Sequence, residues 1–173
     1  MEATINEVLQ DVAESEPGDL KERCKGISEP AAATLRALWG TPEHGGGLEK
    51  AHILDKFQVS LTASQVPPFD LGQQPYQRAK KLVQLRNALV HYKPDTQSSD
   101  DEYAHKMEKA LKGEFPSNKI FVEPFSPWYT IGCLGYGCSE WAHTSATAFV
   151  DEWQTRIGIV RDYKDEMREY ETP

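Results

Sequence analysis

No stretch of this chain alternates apolar and polar residues over six or more positions with the Val, Ile and Thr content a strand needs. Helices must therefore bury its apolar residues. Between Thr4 and Ser15, Ile5, Val8, Leu9 and Val12 recur at three- and four-residue steps, and Pro17-Gly18 stops the run. Pro30 suits the first turn of a helix through Ala31 to Trp39, with Asp19 or Ser28 as caps nearby. Gly40 and the stretch from Pro42 to Gly47 read as a loop, and Leu48 to about Thr62 as the next helix. After the turn-rich Pro67 to Gly72, Pro75 opens a helix to about Tyr92, which Pro94 stops. Asp95 to Asp100 is a polar loop, and Asp101 to Leu111 is a helix closed by Gly113. Glu114 to Pro127 reads as irregular, and a long helix follows from about Tyr129 to Ile157, then a charged tail. Gly135, Cys138, Ala142, Ser145, Ala146 and Phe149 place small residues on one side of that last helix, where a neighbour can approach closely.

Six Phe, seven Tyr and four Trp in 173 residues supply a real core and exclude a wholly disordered chain. No apolar run approaches the roughly 18 residues of a membrane span. The first residues lack a basic segment followed by an apolar one, so a cytoplasmic protein without membrane partners is expected. Cys24, Cys133 and Cys138 are odd in number and unevenly spaced, which fits free thiols better than a disulfide framework. On a continuous helix Cys133, Cys138 and His143 would diverge by about 140° at each step, so no common metal site is expected. Gly132 to Gly137 follows no strand and is not a dinucleotide fingerprint; its glycines suit close packing or a broken helix start. Gly45-Gly46-Gly47 lacks the Lys and Ser/Thr of a phosphate loop.

The helix from Pro75 to Tyr92 departs from the rest. With Leu82 as zero and about 100° per residue, Leu85, Leu89 and Tyr92 lie to one side. Ala79, Val83 and Val90 lie to the other, and Arg86 falls at about 40°, inside that broad apolar face. A guanidinium there must meet an acid, a partner's surface or an anionic ligand, because burying it unpaired is too unfavourable. Asn87 and His91 share a second face. His91 lies in the last turn, where the helix dipole favours its protonated ring and where it can trade a proton near neutrality. From Leu71 to Pro94 there is no Asp or Glu, yet Arg78, Lys80, Lys81, Arg86 and Lys93 stand there, in a chain of net charge −8. Such a strip suits a phosphate backbone, or else its lysines are solvated and paired with acids elsewhere.

Leu85-Arg86-Asn87-Ala88-Leu89-Val90-His91-Tyr92 resembles the signature of the HEPN superfamily (higher eukaryotes and prokaryotes nucleotide-binding domains). That signature is Arg, often followed by Asn, then His after four to six residues near a helix end. The stretch from Phe69 to Gln77 and the later Glu140-Trp141-Ala142 are similar to a bacterial branch of HEPN-like proteins. The resemblance implies an all-α, up-and-down bundle of about four to six helices, usually a homodimer whose signature helices meet across a cleft. It implies one HEPN-like domain over 1–173: a helical extension at 1–45, a core at 48–158 and a charged tail at 159–173. It further implies a metal-independent endoribonuclease without cofactor, in which His91 handles the proton, Arg86 holds the scissile phosphate and Asn87 orients the phosphate or His91. Arg78, Lys80, Lys81, Tyr92 and Lys93 would then touch RNA. The alternative is a non-catalytic RNA- or nucleotide-binding module, or a dimeric scaffold. An antitoxin-like partner is a further implication. Members paired with a nucleotidyltransferase antitoxin often carry Tyr two residues after the His; here Lys93 stands there and Tyr92 one earlier. A purely structural role, with Arg86 tied to a carboxylate, is the third possibility.

Overall fold

Among the described residues are six α-helices: α1 (Glu2–Glu14), α2 (Glu29–Trp39), α3 (Ile53–Ala63), α4 (Tyr76–Val90), α5 (Glu102–Leu111) and α6 (Tyr136–Ile157). The computed structural model describes residues 1–40, 47–90, 102–118, 132–133 and 135–159. All but Gly47 of the loop expected over Pro42 to Gly47, the polar loop at Asp95 to Asp100, the irregular stretch after Asn118 and the charged tail beyond Ile159 lie outside them. Among the described residues there is no strand, only an isolated bridge between Lys112 and Phe115, so the all-α expectation holds at that level. No helix among the described residues is long and apolar enough to cross a membrane. The chain divides into two compact units, one of residues 1–70 with 150–173 and one of residues 71–149.

In the first unit, Ile5, Val8, Leu9 and Val12 are all buried, as their spacing dictates, against Ala31, Ala32 and Leu35 of α2 and Leu54, Phe57 and Leu61 of α3. The last turns of α6 add Trp153 and Ile157. Trp153 meets Phe57 edge to face, with ring centroids 5.0 Å apart, and its indole N–H donates to Ser60 Oγ at 2.8 Å. Ser60 Oγ in turn donates to the Phe57 carbonyl, so the indole N–H and the Ser60 hydroxyl are both satisfied. Arg36 serves the open end of α1: its Nε donates to the carbonyls of Val12 and Ser15, both at 3.1 Å, and its Nη1 pairs with Glu29. A cation there satisfies carbonyls that have no intrahelical partner. Gly26 packs against Gly158 so closely that a Cβ on Gly26 would lie 1.9 Å from the Gly158 carbonyl oxygen.

The helix expected from Leu48 is broken. Leu48–Lys50 is a short 3-10 turn, and Ala51 and His52 are extended before α3 begins at Ile53. The break frees the Glu49 carbonyl, which receives Lys56 Nζ at 2.6 Å, while Asn6 Oδ1 receives it at 2.7 Å. In an unbroken helix that carbonyl would accept from the N–H four residues on.

In the second unit, Leu85 and Ala88 of α4, Met107 and Leu111 of α5, Phe115, Cys133, and Cys138 and Trp141 of α6 form one apolar cluster. Gly113 at φ +89° closes α5, as expected. The last helix starts at Tyr136 rather than near Tyr129, and Cys133 sits in a turn ahead of it. Gly137 is one reason the helix can start there: a Cβ would lie 2.7 Å from the Pro116 carbonyl oxygen. Of the small-residue stripe, Cys138, Ser145 and Phe149 are buried and Ala142 and Ala146 partly so.

Candidate functional site at the end of α4

Burial on α4 does not follow the single face that its composition suggests. Its buried residues are Tyr76, Ala79, Leu85 and Ala88. On the scale with Leu82 at zero these stand at roughly 120°, 60°, −60° and −120°. The first half of the helix therefore turns one side inward, where Tyr76 meets Phe149 with ring centroids 6.3 Å apart. The second half turns the other side onto the cluster of Met107, Leu111, Phe115 and Trp141. The expected face centred on Leu82 is thus left half open. Leu82 is only partly buried, Leu89 is 44% exposed and Val90 is 62% exposed.

Arg86 lies in that open stretch and is exposed, not sunk in the core as its place on the apolar arc predicts. Two neighbours pulling on different sides of α4 are the physical reason. Arg86 Nη1 donates to Asn87 Oδ1 at 2.9 Å, so the first two residues of the expected constellation are joined directly. The donated hydrogen bond fixes the amide with its oxygen toward Arg86 and its NH2 group away from it. His91, Tyr92 and Lys93 lie outside the described residues.

The basic strip divides. Lys81 Nζ pairs with Glu114 Oε1, and Arg78 Nε lies 3.6 Å from Glu114 Oε2. Trp141 Nε1 donates to the same carboxylate at 3.2 Å. Burial pushes the Glu114 carboxyl upward, but the Lys81 hydrogen bond and charge, the indole N–H and the Arg78 charge outweigh it and hold the pKa below the usual carboxylate range. Arg78 and Lys81 thus tie α4 to the segment after α5 and to α6. Lys80 and Arg86 are exposed. Sequence reading missed Glu114. The available signal was topological: two consecutive helices that run back against each other bring the residue after the second near the start of the first.

Cys133 and Cys138 were expected to diverge on one continuous helix. Because α6 begins only at Tyr136, the two thiols are instead neighbours in one buried cluster, each shifting the other's pKa. Among the described residues, no group of three or more His, Cys, Asp or Glu could hold a metal ion. Comparison with family models, with curated proteins and with solved structures matched nothing.

Proposed function

We propose that this chain is a HEPN-like endoribonuclease that works as a homodimer, with Arg86, Asn87 and His91 of each copy facing a shared cleft. One observation carries the reading: Arg86, bonded to Asn87, stands exposed on a helix edge whose neighbours Leu89 and Val90 are also exposed. An apolar edge favours a protein partner, and a guanidinium set within it favours an anion held at the junction. In the reaction, His91 would take the proton of the ribose 2′-hydroxyl as that oxygen attacks phosphorus. The 5′-oxygen would leave with that proton, handed on by His91, and Arg86 would stabilise the charge gathering on the phosphoryl oxygens. Asn87, already oriented by Arg86, would direct its amide N–H toward the same phosphate.

The test is cleavage of an RNA in excess chelator. Wild type is expected to cut, and His91→Ala to fall by about 100-fold or more. Equal activity in both proteins, or none in either, overturns the catalytic reading. A non-catalytic reading, as a dimeric scaffold or an RNA- or nucleotide-binding module, rests on the neutralised strip. With Arg78 and Lys81 held by Glu114, fewer cations are left to track a long phosphate backbone. Salt-sensitive binding of intact RNA, weakened by Lys80→Ala and Arg86→Ala, would support it.

A further inference from the structure

The three free cysteines are all buried, but not equally. Cys24 in the first unit is sealed at 0% exposure, whereas Cys133 and Cys138 in the second keep 8% and 6%. Both of the latter belong to the cluster that holds Leu85, Ala88 and Trp141. The Gly135 N–H donates to the Cys133 carbonyl at 3.0 Å, which turns the chain just ahead of α6. Cys138 is the third residue of α6, whose first turn holds no acid. Its sulfur therefore lies at the positive end of the helix dipole, which favours a thiolate.

We propose that Cys133 and Cys138 form a redox-reactive dithiol, which a peroxide converts into an intramolecular disulfide while Cys24 stays reduced. Cys138, in the first turn of α6, supplies the nucleophile, and its pairing with Cys133 lowers its pKa. The same pairing, together with burial, holds the Cys133 proton on. The Cys138 thiolate attacks one peroxide oxygen and the O–O bond breaks. The departing hydroxide takes up the proton that Cys138 released and leaves as water, and Cys138 becomes a sulfenic acid. The Cys133 sulfur then attacks the Cys138 sulfur. The S–O bond breaks, and hydroxide leaves with the Cys133 proton as a second water. The two sulfurs have lost two electrons and the peroxide has gained them. Cys24 does not follow, because burial raises its thiol and seals it from the oxidant. The disulfide would sit in the cluster that seats Leu85 and Ala88, on either side of Arg86 and Asn87. The oxidation itself stands whether or not the chain cuts RNA.

The deciding measurement uses the folded wild-type chain. It is treated with a small excess of hydrogen peroxide, then unfolded in the presence of an alkylating reagent, digested with trypsin and weighed by mass spectrometry. Cys133 and Cys138 fall in one tryptic peptide, Ile120 to Arg156, and Cys24 in another. The expected result is the long peptide lacking two hydrogens and resisting alkylation, with Cys24 alkylated. In Cys133→Ser, Cys138 is expected to stop at a sulfenic acid trapped by dimedone. Full alkylation of both residues in wild type, sulfinic acid in place of the disulfide, or oxidation of Cys24 to the same extent would each overturn the proposal.

Discussion

Lys56 illustrates how one side chain can organise a unit. It is 3% exposed, and its Nζ reaches Asn6 Oδ1 and the Glu49 carbonyl while lying 5.7 Å from the centre of the Trp39 ring. It thereby joins α1, the 3-10 turn, α2 and α3. Lys56→Met keeps the stem but loses two part-buried hydrogen bonds from a charged donor, at about 1–2 kcal/mol each. A chemical denaturation midpoint lowered by about 2–4 kcal/mol equivalent is expected, against a change within about 0.5 kcal/mol for the exposed Lys80→Met. Equal effects would mean that the ties of Lys56 contribute nothing. Arg86 is the opposite case. Because it is exposed, Arg86→Ala is expected to leave the melting temperature nearly unchanged, within about 0.5 kcal/mol, while abolishing RNA cleavage or binding. A large loss of stability would recast Arg86 as a structural residue.

At the level of the helix, α4 is held by its neighbours rather than by its own amphipathicity. Glu114 gathers Lys81, Arg78 and Trp141 and so links α4, the segment after α5, and α6. Its lowered pKa means that the folded chain binds fewer protons there than the unfolded chain. The stability it contributes is therefore fully present above the ordinary carboxylate pKa and is lost as pH falls through the lowered value. The stability difference between wild type and Glu114→Gln should be largest near neutrality and should shrink below about pH 4. A difference that grows with acid would contradict this assignment. In Lys81→Met the Glu114 carboxyl should titrate at higher pH, which NMR of the carboxyl carbon can follow.

For the whole molecule, the proposed function makes association a requirement. Sedimentation should show a dimer in the wild type. Leu89→Arg combined with Val90→Asp should yield monomers whose circular dichroism is unchanged, because both positions are exposed. Monomeric wild type at activity-assay concentration would remove the shared cleft. Much of the fold was legible beforehand, because a period of three to four residues in Ile5, Val8, Leu9 and Val12 can serve only a helix. The site was legible only in part. Arg86 stood out as a polar interruption of an apolar arc, and Asn87 as the residue sharing a second face with His91. Glu114 did not, since an acid after a helix cap becomes a tether only when chain folding returns it to α4.

The residue spacings thus determined by themselves that the chain is helical, where Pro17, Gly113 and similar breakers end its helices, and which side of α1 is buried. Local periodicity and backbone preference suffice for those outcomes, because each is decided within a few turns. Tertiary structure alone decided that α4 buries different sides along its length, that Arg86 faces outward against Asn87, that Arg78 and Lys81 answer to Glu114, and that Cys133 meets Cys138. Each of these depends on which neighbour arrives at a given side, and pairing between residues distant in the chain leaves no periodic trace in the sequence.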